Sequence, residues 1–383
     1  MSHEFLRPDT CWQTRPPMKI ALVVPGGVDR SGEYRVIPAL LALIARLSLQ
    51  HEIHVFALAQ EDRPDHWDLA GARIHNIGTG CTHLRAVRAI CAEHRSSAFQ
   101  AVQSIWSGSP GLVAVSASKV LGIPSFVHVA GGELVALPQI PYGGRLTWSG
   151  RAREAAVLRA ATQITAASAA MIETLAAIGI TAKRLPLGVD LKVWQPREPV
   201  RRDLSKPARL IHTASLNRIK DQPTLLRALA SLAESGLEFQ MDIVGEDTLK
   251  GEIQQMSRRL GLSRRVRFLG FLPQRDVLAL VEAAHLMIIS SLHEAGPLAV
   301  LEAGTLGVPT VGTAVGHIKE WAPHAAVSVP VADPTALARA TAALLGDEDQ
   351  RLRMGREAMR RATQEDADYT ARAFQTMYAD LAG

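Results

Sequence analysis

The sequence predicts an α/β protein made of two doubly wound, Rossmann-like domains facing a central cleft. Three observations carry this expectation. Short apolar and β-branched runs alternate with helical-period segments along nearly the whole chain. The rhythm breaks in Gln195-Pro196-Arg197-Glu198-Pro199-Val200-Arg201-Arg202, which is rich in proline and charge and has no periodicity. A length of 383 residues exceeds one ordinary core and suits two domains. The expected order is a disordered leader over 1–17, an N-terminal domain over 18–195 and a linker over 196–205. A C-terminal domain over 206–365 and a final helix over 366–383 follow.

The elements follow from local pattern. Lys19 to Val24 is the first strand, too apolar for a wet face. A turn containing Gly26, Gly27 and Gly32 leads to a helix from Val36 to Leu49. Further strands are expected at Ile53–Phe56, Arg73–Ile77, Ala101–Ile105, Ser125–Val129 and Gln163–Ala166. Helices at Leu84–Glu93, Gly111–Leu121 and Arg151–Ala161 fill the gaps. The second half repeats the pattern, with strands at Leu210–Thr213, Gln240–Val244, Arg265–Leu269, Leu286–Ile289, Pro309–Val311 and Ala326–Val329. Asp333-Pro334 is a helix start, a capping residue followed by proline at the first position. Tyr369 to Leu381 has the spacing of an amphipathic helix.

Composition narrows the function. Hydrophobic residues make up 47% and charged residues 21%, as in an ordinary globular protein. No stretch reaches the 18 or so apolar residues that would span a bilayer. The first residues lack an apolar signal core and the three cysteines lack metal spacing, so a cytoplasmic location is expected. The charge of +5 comes with no basic stripe interleaved with aromatics, which argues against nucleic acid. Two local clusters read either as solvated helix faces or as a peripheral contact with an anionic membrane: Arg145, Arg151, Arg153 and Arg159, and Arg197, Arg201 and Arg202.

The densest signal runs from residue 290 to residue 313. An apolar strand ends, a short polar loop carries Glu294, Ala295, Gly296 and Pro297, and a helix begins with Leu298 and carries Glu302. Pro297 fits a first helical position, and Gly307 fits the helix end. A helix N-terminus attracts phosphate, and carboxylates accept hydrogen bonds from sugar hydroxyls. Glu-Ala-Gly-Pro, Val-Leu-Glu-Ala and Gly-Val-Pro-Thr-Val together resemble the signature of the family-4 retaining glycosyltransferases, which have the two-domain GT-B fold.

That resemblance implies a nucleoside-diphosphate sugar bound mainly by the C-terminal domain and a hydroxyl-bearing acceptor on the N-terminal one. It implies that Glu294 binds donor-sugar hydroxyls, that Glu302 binds the ribose, and that backbone N–H groups of Ala295, Gly296 and Leu298 face the phosphates. Pro297 stands where many relatives have glycine. Lys220 matches a phosphate-binding lysine, whereas Ser215 occupies the family arginine position. Arg218, in the same segment as Asn217, is the expected substitute. Leu269 and Gly270 would edge the nucleobase, and Gly245 lies in a partly matched glycine-rich turn. Gly27 and Gly32 would bring backbone close to the phosphates from across the cleft. Ala130 occupies the place of a family catalytic histidine. His128, two residues earlier, is either its stand-in or a core histidine. Glu133 and Tyr142 are acceptor-side candidates, and Leu187 to Asp190 resembles an interdomain turn. The GT-B type does not rely on an Asp-x-Asp metal site, so the resemblance implies neither metal nor cofactor. The family mechanism is front-face departure of the diphosphate. Rival readings are a nucleotide-sugar epimerase or phosphorylase on the same fold, an inactive sugar-nucleotide-binding relative, and a two-domain solute-binding protein.

Overall fold

The computed structural model describes residues 16–382. All but the last two positions of the leader expected over 1–17 lie outside the described residues. The N-terminal domain runs β1 (Lys19–Val24), α1 (Pro38–Leu47), β2 (Glu52–Ala57), β3 (Asp65–Leu69), β4 (Ala72–Asn76), α2 (Thr82–Ser96), β5 (Ala101–Ile105), α3 (Ser109–Leu121), β6 (Ser125–Val129), α4 (Trp148–Ala160), β7 (Gln163–Ala166), α5 (Ala169–Ala176) and β8 (Lys183–Arg184). The C-terminal domain runs β9 (Ala208–Thr213), a 3-10 turn at Arg218–Lys220, α6 (Gln222–Glu234), β10 (Phe239–Val244), α7 (Glu252–Arg259), β11 (Val266–Gly270), α8 (Gln274–Glu282), β12 (Leu286–Ile289), α9 (Leu298–Thr305), β13 (Thr310–Thr313), α10 (Gly316–Trp321), β14 (Ala326–Val329), α11 (Pro334–Gly346) and α12 (Glu348–Gln364). The last helix, α13 (Ala367–Ala382), returns to the first domain.

The first sheet has the order β3-β4-β2-β1-β5-β6-β7-β8, the second β11-β10-β9-β12-β13-β14. Every pairing is parallel except β3 with β4. The central strands are buried along their length, as the apolar runs require. β3 escaped the sequence reading because Asp-His-Trp-Asp-Leu has almost no apolar pattern. Only Trp67 is buried, and the strand is held by its antiparallel register with β4.

Two local details refine the expectation at the motif. Pro297 is the residue before α9 and not its first helical position, because its ψ of 112° is extended. Gly307 has φ +66°, the left-handed geometry that ends a helix. At α11, Asp333 accepts a hydrogen bond from the Ala336 N–H at 2.8 Å.

The domains are joined through α13 and a set of ion pairs. Phe374, Met377 and Tyr378 of α13 are buried in one cluster with Ile20, Leu22 and Leu40 of the N-terminal domain. Arg184 of β8 meets Glu320 of α10 at 2.5 Å and Glu365, just before α13, at 2.6 Å. Lys319 reaches Glu173 at 2.8 Å, tying α10 to α5. No helix among the described residues is long and apolar enough to cross a membrane.

Candidate donor site in the interdomain cleft

Between the domains lies a cleft of about 940 Å³. It opens at the C-terminal ends of β9, β10 and β12, where parallel strands leave loops free to converge on a ligand. Its lining includes Gly32, Ser215, Lys220, Gly245, Glu294, Gly296, Pro297, Leu298 and Glu302. Gly245 has a positive φ, and its Cα packs so closely on the Ala214 carbonyl that a side chain would not fit.

Lys220 and Glu294 form the centre of the cleft. The Lys220 Nζ lies 2.6 Å from Glu294 Oε1, with the two side chains 23% and 13% exposed. Ser291 donates its hydroxyl to the same carboxylate oxygen at 2.6 Å. The lysine is positioned by its backbone. Its N–H donates to Asn217 Oδ1 at 3.2 Å, and its carbonyl accepts from Ser290 Oγ at 2.7 Å. Neighbouring Ile219 accepts from the Leu292 N–H at 2.8 Å. Asn217 therefore acts through Lys220 and does not itself line the cleft.

Glu302, on α9, keeps part of its surface at the cleft. Burial of the rest pushes its carboxyl up to about 7. Gly296 sits against both domains: a Cβ there would come within 2.9 Å of His317 Nε2 and 3.0 Å of the Ala167 Cβ. Ala295 packs with Val129, Leu134 and Ala167 of the N-terminal domain and is interior, not lining. Leu269 and Gly270 lie one step back along β11, and the following Phe271, Leu272 and Gln274 line the cleft instead. Phe271 pairs across it with Tyr34, ring centres 5.8 Å apart.

Several expected residues fall elsewhere. Arg218 makes a bidentate pair with Glu252 at 2.9 and 2.7 Å and does not line the cleft. A carboxylate on α7 matches its planar fork, which sequence spacing could not reveal. His128 is fully buried, bonded to Thr165 at 2.8 Å and packed edge-on against Phe374 of α13. Burial alone pushes its imidazole down to about 3, and it does not line the cleft. Gly27 is also off the lining; its N–H donates to Gln60 Oε1 at 2.7 Å and shapes the turn. In the cluster around the linker, Arg201 pairs with Asp349 at 2.5 Å and Arg197 with Glu282 at 3.0 Å.

Next to the cleft, the loop after β6 faces the motif. The His293 ring lies 3.3 Å from the Gly131 carbonyl oxygen. Glu133 is buried, accepts from the Ser107 N–H at 3.0 Å, and keeps Oε2 without a partner. Ser107 donates its hydroxyl to buried Glu154 at 2.6 Å. Burial raises the Glu154 carboxyl to about 7. Trp106, just before, has φ +76°, a strained geometry for a bulky side chain. Tyr142 is raised by burial and then by the charges of Glu294 and Glu133, which places its hydroxyl in the field of both. Trp106, Ser107 and Glu154 carry no sequence signal; the segment just after β5 and the middle of α4 bring them together.

Comparison with known proteins follows this geometry. Residues 35–188 match the family described as a glycosyl transferase 4-like domain. Residues 197–361 match the one described as glycosyl transferases group 1. D-inositol 3-phosphate glycosyltransferase of Corynebacterium urealyticum is 30% identical over 211 residues, covering 51% of this chain and 50% of that protein. N-acetyl-alpha-D-glucosaminyl L-malate synthase of Bacillus anthracis is 29% identical over 175 residues, 45% of each. The chain thus spans about half the length of the curated relatives it matches. Among solved structures, sucrose-phosphate synthase from Thermosynechococcus elongatus superposes with a TM-score of 0.81 at 20% identity, covering 95% of this chain and 99% of that one. Anabaena HepE, in complex with UDP and glucose, superposes with 0.73 at 17% identity, covering 95% and 100%. The fold is GT-B, and with one family profile on each domain the chain belongs to the group 1, family-4-like glycosyltransferases.

Proposed function

We propose that the protein is a retaining glycosyltransferase that moves a sugar from a nucleoside-diphosphate sugar to an acceptor hydroxyl, without a metal in the transfer step. The observation that carries this reading is the Lys220–Glu294 pair, 2.6 Å apart, in the cleft that Glu302 also lines. On donor binding, Lys220 exchanges Glu294 for the diphosphate and neutralises the charge that grows as the leaving group departs. Glu294, held by Ser291, turns to the sugar hydroxyls, and Glu302 accepts from the ribose. The N-terminus of α9 and the backbone at Gly296 add donors to the phosphates. Glu133 and Tyr142 serve the acceptor side. The solved relative with UDP and glucose supports a nucleotide sugar as donor. Peripheral membrane contact through Arg145, Arg151 and Arg159, around a Trp148 that is 77% exposed, belongs to the same proposal; flotation on anionic vesicles tests it.

A panel of UDP-, GDP-, dTDP- and ADP-sugars, read by thermal shift and donor hydrolysis, tests the reading. One donor class should raise the melting temperature and be hydrolysed slowly without acceptor. Thermal stabilisation with no turnover would point to an inactive sugar-nucleotide-binding relative, for which Ser215 and the pairing of Arg218 with Glu252 are the grounds. Silence across the panel would refute the proposal.

A further inference from the structure

We propose that His54, His75 and Glu93, none of which lines the cleft, form a site for a divalent transition metal of the zinc class. His54 is on β2, His75 on β4, and Glu93 on α2, which covers that face of the sheet. Their donor atoms all lie within 4.8 Å of one another.

The geometry is that of a ligand set drawn together. His54 Nδ1 is 2.9 Å from His75 Nε2 and 3.7 Å from Glu93 Oε1. Ligands about 2.0–2.1 Å from a tetrahedral zinc ion are spaced by roughly 3.3 Å, between those two values. His54 Nε2 is bonded to Glu52 Oε1 at 2.9 Å. With that N–H donated to a carboxylate, the Nδ1 lone pair faces the other two donors. This is the arrangement by which an outer carboxylate orients a metal-binding imidazole. Both histidines are 8% exposed, and an open depression lined by His66, Asp68 and Arg73 leads to them, leaving room for a water as fourth ligand. Two imidazoles and a carboxylate suit Zn²⁺, Co²⁺ or Ni²⁺ better than Mg²⁺ or Ca²⁺.

Lys19 opposes the ion. Its Nζ lies 2.8 Å from Glu93 Oε1 and 3.1 Å from Glu52 Oε1, so in the metal-free protein it neutralises the carboxylates that a metal would use. The metal competes with this ammonium, and its role is to tie β2, β4 and α2 together, since an ion bound only by the folded state stabilises it.

The full chain, stripped with chelator and dialysed, is titrated with ZnCl₂ and CoCl₂. Calorimetry, thermal shift and the visible ligand-field bands of Co²⁺ are the readouts. The wild type should bind one equivalent with low-micromolar affinity and melt several degrees higher when saturated. His75→Gln and Glu93→Gln should lose that equivalent, with circular dichroism confirming that each is folded. Glu93 is 26% exposed, so its variant keeps the test readable if a histidine variant fails to fold. Lys19→Met should bind at least about 3-fold more tightly, by removing the competing charge. The proposal is overturned if the wild type shows no saturable equivalent, or if the equivalent survives in His75→Gln or Glu93→Gln. Either result would leave the cluster as an ion-pair network.

Discussion

Lys220→Ala is the most direct test of the donor site. Lys220 sits 2.6 Å from Glu294 in a cleft where both side chains are mostly shielded from water. Near a protein surface, two unit charges 4 Å apart interact by about 4 kcal/mol at an effective dielectric of about 20. A diphosphate that takes the place of Glu294 meets the same field. Removing one preorganised donor to developing charge typically costs about 10²–10³ in turnover, or about 2.7–4 kcal/mol. The variant should therefore lose about 10²–10³ in kcat for donor hydrolysis and transfer, measured by continuous detection of released nucleoside diphosphate. Its stability should change less. Glu294 retains the Ser291 hydroxyl at 2.6 Å, so the unpaired carboxylate costs about 1–3 kcal/mol, at about 2–4 °C of melting temperature each for a domain of this size. Glu294→Gln supplies the opposing arm. It frees Lys220 from its competitor, so product diphosphate should bind more tightly while turnover falls. A loss below about tenfold in Lys220→Ala with the fold intact would refute the role given to the lysine. Weaker diphosphate binding by Glu294→Gln would do the same.

Other consequences follow from named contacts. Glu302 has its carboxyl raised to about 7, so between about pH 4.5 and 7 the folded state holds a proton that the unfolded state has released. Stability is therefore lost as pH rises through that window, and Glu302→Gln should flatten the melting-temperature profile there. The same variant should weaken donor affinity most above pH 7, where the carboxylate form prevails. Gly296→Ala would place a Cβ 3.0 Å from Ala167 of the facing domain, wedging the cleft open. Turnover should fall at least about tenfold with a small stability change, and small-angle scattering should show a larger radius of gyration. Arg218→Ala, by contrast, breaks only an exposed pair with Glu252, so activity should stay within about threefold and stability within about 1 kcal/mol. A loss of activity as large as that of Lys220→Ala would return Arg218 to the phosphates.

Much of this architecture was written in local pattern. Apolar runs as short as Leu286–Ile289 are readable because a strand covered on both faces has no polar positions. Asp333-Pro334 and Gly307 mark helix ends because capping and left-handed backbone need particular residue types. The motif around Glu294 and Glu302 was readable for a related reason: loop, helix start and both carboxylates lie within one short segment. Lys220 came from a separate segment, yet one close enough to its own strand to be read.

Partners from distant segments were not legible. Glu252 takes Arg218 because α7 lies beside the 3-10 turn, and Phe374 of α13 seals His128 inside the domain. No periodicity encodes a contact across nearly 250 residues. The histidines at 54 and 75 and the glutamate at 93 have no motif spacing either; strand order and a covering helix bring them together. By itself the sequence determined most of the strands, the two-domain division and the segment around Glu294 and Glu302, because hydrophobic burial and backbone geometry act locally. Only the tertiary structure decided which charged groups meet, because side-chain pairing depends on where separate elements come to rest.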